Sequence, residues 1–187
     1  MKFKILFFAL FVSAFSWGQS VVISQYIETN SGTTPKGIEI HNVTASDIVF
    51  SAVNNLQVFQ GTNGGVCTGA ALVNITSGTL QAGKVWVIGT ADLVTYTTTF
   101  GTNYSGTTTF AFTFNGDDAL RVALAGVTQD MFGLCGVDPG TSWTGGGVDT
   151  ANNNLQIIDG FCVGDTDGWT DPSSRYTQIA NGSTMTG

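Results

Sequence analysis

The sequence predicts an all-β fold built as a sandwich of stacked sheets, and three observations carry that prediction. First, residues 110–132 alternate: Phe110, Phe112 and Phe114 recur at every second position, Leu120, Val122 and Leu124 do the same, and Val127, Gln129, Met131 and Phe132 follow. Successive side chains of a strand point to opposite faces, so each set shares one face. Second, the breaks between the sets carry turn chemistry, Asn115-Gly116-Asp117 and then Ala125-Gly126. Three antiparallel strands joined in this way form a meander whose apolar face needs a second sheet to cover it. Third, only 10% of residues are charged while glycine (25 residues) and threonine abound, a composition suited to turn-rich β surface rather than to helices.

Along the chain, Lys2 and Lys4 precede an apolar run at 5–15, and Ser16-Trp17-Gly18 supplies the small residues a signal peptidase tolerates. The run is about half the ~20 apolar residues a membrane span requires. Residues 1–18 are therefore read as a secretory signal peptide and 19–187 as one domain, secreted or held at the cell surface, with no membrane span after cleavage. Residues 21–28 (VVISQYIE) have strand order with a shift at Gln25, and 37–42 (GIEIHN) point Ile38 and Ile40 inward with Glu39 and His41 outward. Strands are also expected at 56–60 and 85–89 (VWVIG), a helical turn or two at 91–96, and a surface loop at 97–109, part of which pairs at a sheet edge. A late strand at 155–158 completes a set of eight or nine mostly antiparallel strands, which suits an immunoglobulin-like β-sandwich.

Charge narrows the partners. Beyond the signal, only Lys36, Lys84, Arg121 and Arg175 stand against thirteen acidic residues. No basic stripe exists to neutralise phosphates, so nucleic-acid binding is not expected without a basic partner domain. Three cysteines, Cys67, Cys135 and Cys162, allow one disulfide in an oxidising compartment and three ways to make it. Cys135 and Cys162 each follow an apolar strand, and that pairing is the one expected. No CxxC spacing suggests zinc or thiol redox chemistry.

Several segments, in order, resemble the bacterial branch of the lamin tail domain family: VVISQYIE from Val21, KGIEIHN from Lys36, LQAGKVWVIG from Leu80, FNGDDALRV from Phe114, FGLCGVDPGTSW from Phe132 and NNNLQIIDGFCVGDTDG from Asn152. The resemblance covers nearly all of 19–187. It implies a compact immunoglobulin-like sandwich, in agreement with the strand pattern, and a binding or positioning module rather than a catalyst. Bacterial members occur alone or beside secreted nucleases, phosphatases and other enzymes. The family's pattern runs a few residues past the NGSTMTG that ends this sequence, which leaves room for a longer protein.

No catalytic residues are expected. The one histidine, His41, sits on the outward face of a strand, and no GxSxG elbow accompanies it. Asp117 and Asp118, as neighbours on a strand, point apart; the first is read as capping a turn and the second as pairing locally, with Arg121 as the partner offered. Asp165, Asp167 and Asp171 form the candidate metal site, for calcium: Asp165-Thr166-Asp167-Gly168 matches the opening of a calcium loop, but the later bidentate glutamate is missing. An Asx-turn loop that satisfies its own backbone explains the same residues. Trp143 and Trp169, in Gly/Asp-rich loops, are the candidate ligand-binding platform for sugars, against the alternative that they plug the end of the sandwich. The function expected is a secreted or cell-surface non-catalytic module that binds a protein or surface ligand, a glycan among them, without an obligatory cofactor. The alternatives are an accessory domain of a longer secreted nuclease or other hydrolase, and a carbohydrate-binding module.

Overall fold

The computed structural model describes residues 18–28 and 35–181; the expected signal peptide lies outside them except for Gly18. The first half of the chain contributes β1 (Val21–Glu28), β2 (Lys36–Asn42), β3 (Ile48–Val49), β4 (Leu56–Gly61), β5 (Val73–Ile75), β6 (Thr79–Leu80) and β7 (Val85–Gly89). Then come α1 (Ala91–Phe100), β8 (Tyr104–Thr109), β9 (Ala119–Leu124) and β10 (Val127–Phe132). The chain closes with β11 (Thr144–Gly145), β12 (Val148–Asp149), β13 (Asn153–Ile157) and β14 (Tyr176–Asn181).

The fold is an all-β sandwich. One sheet has the order β14-β13-β1-β2-β7-β8 and the other β10-β9-β4-β5, with two short ribbons, β11-β12 and β3-β6, at the margins. Every pairing in the two main sheets is antiparallel except β7 with β8. The inward rows Val21, Ile23 and Tyr26 of β1, Ile38 and Ile40 of β2 and Ile88 of β7 meet Leu56 and Val58 of β4 and Leu120 and Val122 of β9 in one core. The shift expected at Gln25 is a bulge between Ile23 and Gln25, which turns Tyr26 rather than Gln25 into that core.

The expected three-strand meander is corrected in one strand. The β9–β10 hairpin turns on Ala125 and Gly126, both at positive φ (51° and 79°), the two-residue turn whose twist matches its flanking strands. Residues 110–114, however, belong to no strand. They cross from the edge of one sheet to β9 in the other; Phe110 N still donates to Gly89 O of β7 (2.7 Å), but 111–114 pair with no strand among the described residues. Phe112 and Phe114 are buried all the same, their rings 5.1 Å apart. Alternation marked which side is dry; it did not supply a partner strand. The helical turn expected at 91–96 extends to Phe100, and the following segment supplies β8 at the sheet edge.

The disulfide joins Cys67 to Cys135, with Cα atoms 5.5 Å apart, and not Cys135 to Cys162. The loop after β4 folds against the chain leaving β10, where Gly136 N–H donates to Gly65 O at 3.0 Å. Cys67 is buried there with Phe59, Ala119 and Ala123 on the outer face of the smaller sheet, while Cys162 is exposed beyond β13. Reduction is expected to lower stability by about 2–4 kcal/mol, because the bond closes a long loop in the unfolded chain. Urea titrations with and without reductant measure this; coincident midpoints would refute it.

Candidate functional site

The outer face of the six-stranded sheet is half roofed by α1. Thr90 precedes the helix in an extended conformation and Asp92 lies in its first turn, where a carboxylate favours the helix N-terminus. Leu93 and Thr97, one turn apart, are its buried residues, and Leu93 packs on Val85, Val87 and Ile27 of the sheet. Gly37 and Gly89 make this approach feasible: a Cβ at either position would collide with Leu93 Cδ2. Tyr96 and Phe100, also one turn apart, stand at the helix margin with rings 5.0 Å from each other.

Beside the helix the sheet face remains open as a trough of about 440 Å³, lined among others by Gln25, Glu39, Tyr96, Phe100 and Tyr104. A second lobe of about 270 Å³ shares Gln25, Glu39, Val85 and Asn103 with it and runs on past His41 to Phe161. Glu39 lies on the shared floor. Burial raises its carboxyl above the ordinary carboxylate range, against the Ser24 hydroxyl, which donates to Oε1 at 2.6 Å. Ser24, Glu39 and His41 thus gather in one lobe, yet they form no nucleophile–base pair. The serine proton is directed at the carboxylate, and among the described residues His41 makes no hydrogen bond to either.

The residues singled out in the sequence fall elsewhere. Asp165 Oδ1 accepts from Asp167 N (3.0 Å) and Gly168 N (2.8 Å), and Asp171 caps a 3₁₀ turn by accepting from Ser173 N (2.9 Å). Asp165, Asp167 and Asp171 do not converge: among the described residues no group of three or more His, Cys, Asp or Glu side chains could hold a metal ion. The Asp165 and Asp171 carboxylates serve their own backbone. Trp143 and Trp169 are only 2% and 6% exposed and stand 6.0 Å apart, edge to face, in the core, so they offer no ligand platform. Asp118 accepts from Gln60 Nε2 and Asn63 N, both at 2.8 Å; Arg121 instead lies over the Phe59 ring at 3.8 Å.

Two buried ionic clusters were not foreseen. At one end Lys36 Nζ binds Glu28 Oε1 (3.3 Å) and the Phe114 carbonyl, and the Tyr26 hydroxyl donates to Glu28 Oε2 at 3.0 Å. At the other, Asp130 binds Arg175 (3.2 Å) beneath the start of β1. Trough aromatics were missed as well; the signal was there, in the 93/97 and 96/100 spacings of a helix read only as a turn or two.

Burial raises the carboxyls of Glu28, Glu39 and Asp118, and pushes Asp130 up to about 6 despite Arg175 and three backbone N–H groups. A carboxyl that is harder to ionise folded than unfolded makes the folded state hold more protons between the two values. Its contribution is full below the ordinary carboxylate range near 4 and is lost as pH rises through about 6. The melting temperature is expected to be higher at pH 5 than at pH 7. A steady fall from pH 7 to pH 5 would contradict this.

Comparisons with family models, curated proteins and solved structures found no match.

Proposed function

We propose that this chain is a secreted or cell-surface module of the lamin tail type, a non-catalytic β-sandwich that binds or positions a ligand. The carrying observation is the trough: a concave surface about 440 Å³ in volume, fenced by a helix on one side and floored by partly buried polar groups, within the size range of ligand sites. The Ser24–Glu39 hydrogen bond supports a structural role for the nearby acid, and the Cys67–Cys135 disulfide supports an oxidising compartment. No helix among the described residues is long and apolar enough to cross a membrane.

The test is retention of the tagged full chain on the surface and extracellular matrix of the cells that make it. Retention that Phe100→Ala abolishes is expected, and Phe100 is 67% exposed, so its truncation leaves the core alone. No retention, or retention indifferent to the trough, would overturn the binding reading. Hydrolytic turnover that disappears in His41→Ala would overturn the non-catalytic one.

A further inference from the structure

The chemistry of the trough selects among occupants. Its floor is the face of β1, β2, β7 and β13, strands paired on both sides in the sheet, so their backbone groups serve the ladders. An extended peptide that docks by strand addition pairs along a free edge; the edge strands β8 and β14 reach the trough only at its sides, through Tyr104 and Ile179, so a strand added there would not cover the floor. An acyl chain or sterol favours an enclosed apolar cavity, whereas this one is open and carries a row of amides and a carboxyl on its floor. An anionic ligand would approach Glu39 and Asp159 on a chain of formal charge −7.

What remains fits hydroxyls and carbon-bound hydrogens together. Gln25 and Gln156 are direct cross-strand partners, and both point outward because Tyr26 and Leu155 point into the core. Neither side-chain amide has a hydrogen-bond partner among the described residues, so each can donate to one hydroxyl and accept from another. The Tyr96–Phe100 ring pair stands at one end of the trough, and Phe161, 39% exposed and backed by the Arg175 guanidinium 5.4 Å from its centroid, stands at the other. We infer that this trough binds a neutral glycan, with Tyr96, Phe100 and Phe161 stacking on sugar rings and Gln25 and Gln156 meeting ring hydroxyls. The inference rests on the binding-module reading and gives it a ligand class.

Native affinity electrophoresis of the full chain tests it, with dextran, laminarin, galactan and xyloglucan as neutral probes and polygalacturonate and chitosan as charged ones. Retardation by at least one neutral polysaccharide is expected, weakened tenfold or more by Phe100→Ala and by Gln25→Ala, with unchanged melting temperatures. Retardation by the charged polymers alone, by none, or equally in the variants overturns the inference. Periodate treatment of the cell surface separates the two levels. Retention that survives periodate but not protease leaves the module reading standing and removes the glycan, and no retention at all removes both.

Discussion

Asp130→Ala is expected to destabilise the domain by about 3–5 kcal/mol, the range found when one partner of a buried ion pair is removed. Asp130 is fully buried, and its two carboxylate oxygens hold four groups. Oδ2 accepts from Ile23 N at 2.7 Å, while Oδ1 accepts from Met131 N (3.1 Å), Asp165 N (2.7 Å) and Arg175 (3.2 Å). These belong to β1, β10, the loop after β13 and the residue just before β14, so one side chain ties both sheets together at the edge where β10 approaches β1. Alanine would leave three N–H groups and a guanidinium buried without this acceptor. Asp130→Asn is expected to lose less, since an amide oxygen still accepts, and to flatten the fall in stability between about pH 4 and 6. Urea denaturation across that range measures both effects. A loss below 1 kcal/mol for the alanine variant would show that the carboxylate is dispensable.

Lys36→Ala is expected to have an effect of similar size at the opposite end. Lys36 and Glu28 face each other across β1 and β2, and both side chains are 2% exposed. The ammonium also binds the Phe114 carbonyl, which fastens the irregular 110–114 crossing to the larger sheet. Removing it strands a buried carboxylate as well as that carbonyl. The pair is nevertheless not expected to exceed an apolar replacement in stability, because its desolvation offsets much of its attraction. The double variant Lys36→Met with Glu28→Gln is therefore expected to recover most of the loss, the glutamine still accepting from the Tyr26 hydroxyl. A double variant as unstable as Lys36→Ala would defeat this account.

Much of the sandwich was legible because period-two rows report directly which side of a strand is dry. Ile38 and Ile40, Leu120 and Val122, and the Ala125-Gly126 reversal all lie where that rule puts them. Where the rule failed, the cause was a partner distant in sequence. The Phe110–Phe112–Phe114 row is as regular as any, but whether a second strand lies beside it depends on the path of the whole chain. Trp143 and Trp169 sit among glycines and aspartates that signal loops, and nothing local says that two such loops fold over the same core. The choice of Cys67 over Cys162 likewise depends on how the loop after β4 settles. The trough was hidden for the same reason: its aromatic wall comes from α1, its amides come from β1 and β13, and only the topology makes them neighbours.

β1 occupies the middle of the larger sheet, with β2 on one flank and β13 on the other. One flank forms from nearby sequence, but the other waits for strands near the far end of the chain, and the Ile23 carbonyl finds the Tyr176 hydroxyl only across 153 positions. Closing so long a loop is entropically slow, so folding should run on the millisecond-to-second scale of topologies rich in distant contacts. Until β13 arrives, the first strand carries an open hydrogen-bonding edge. During that interval a nascent or newly released molecule would be most prone to joining strands with its neighbours.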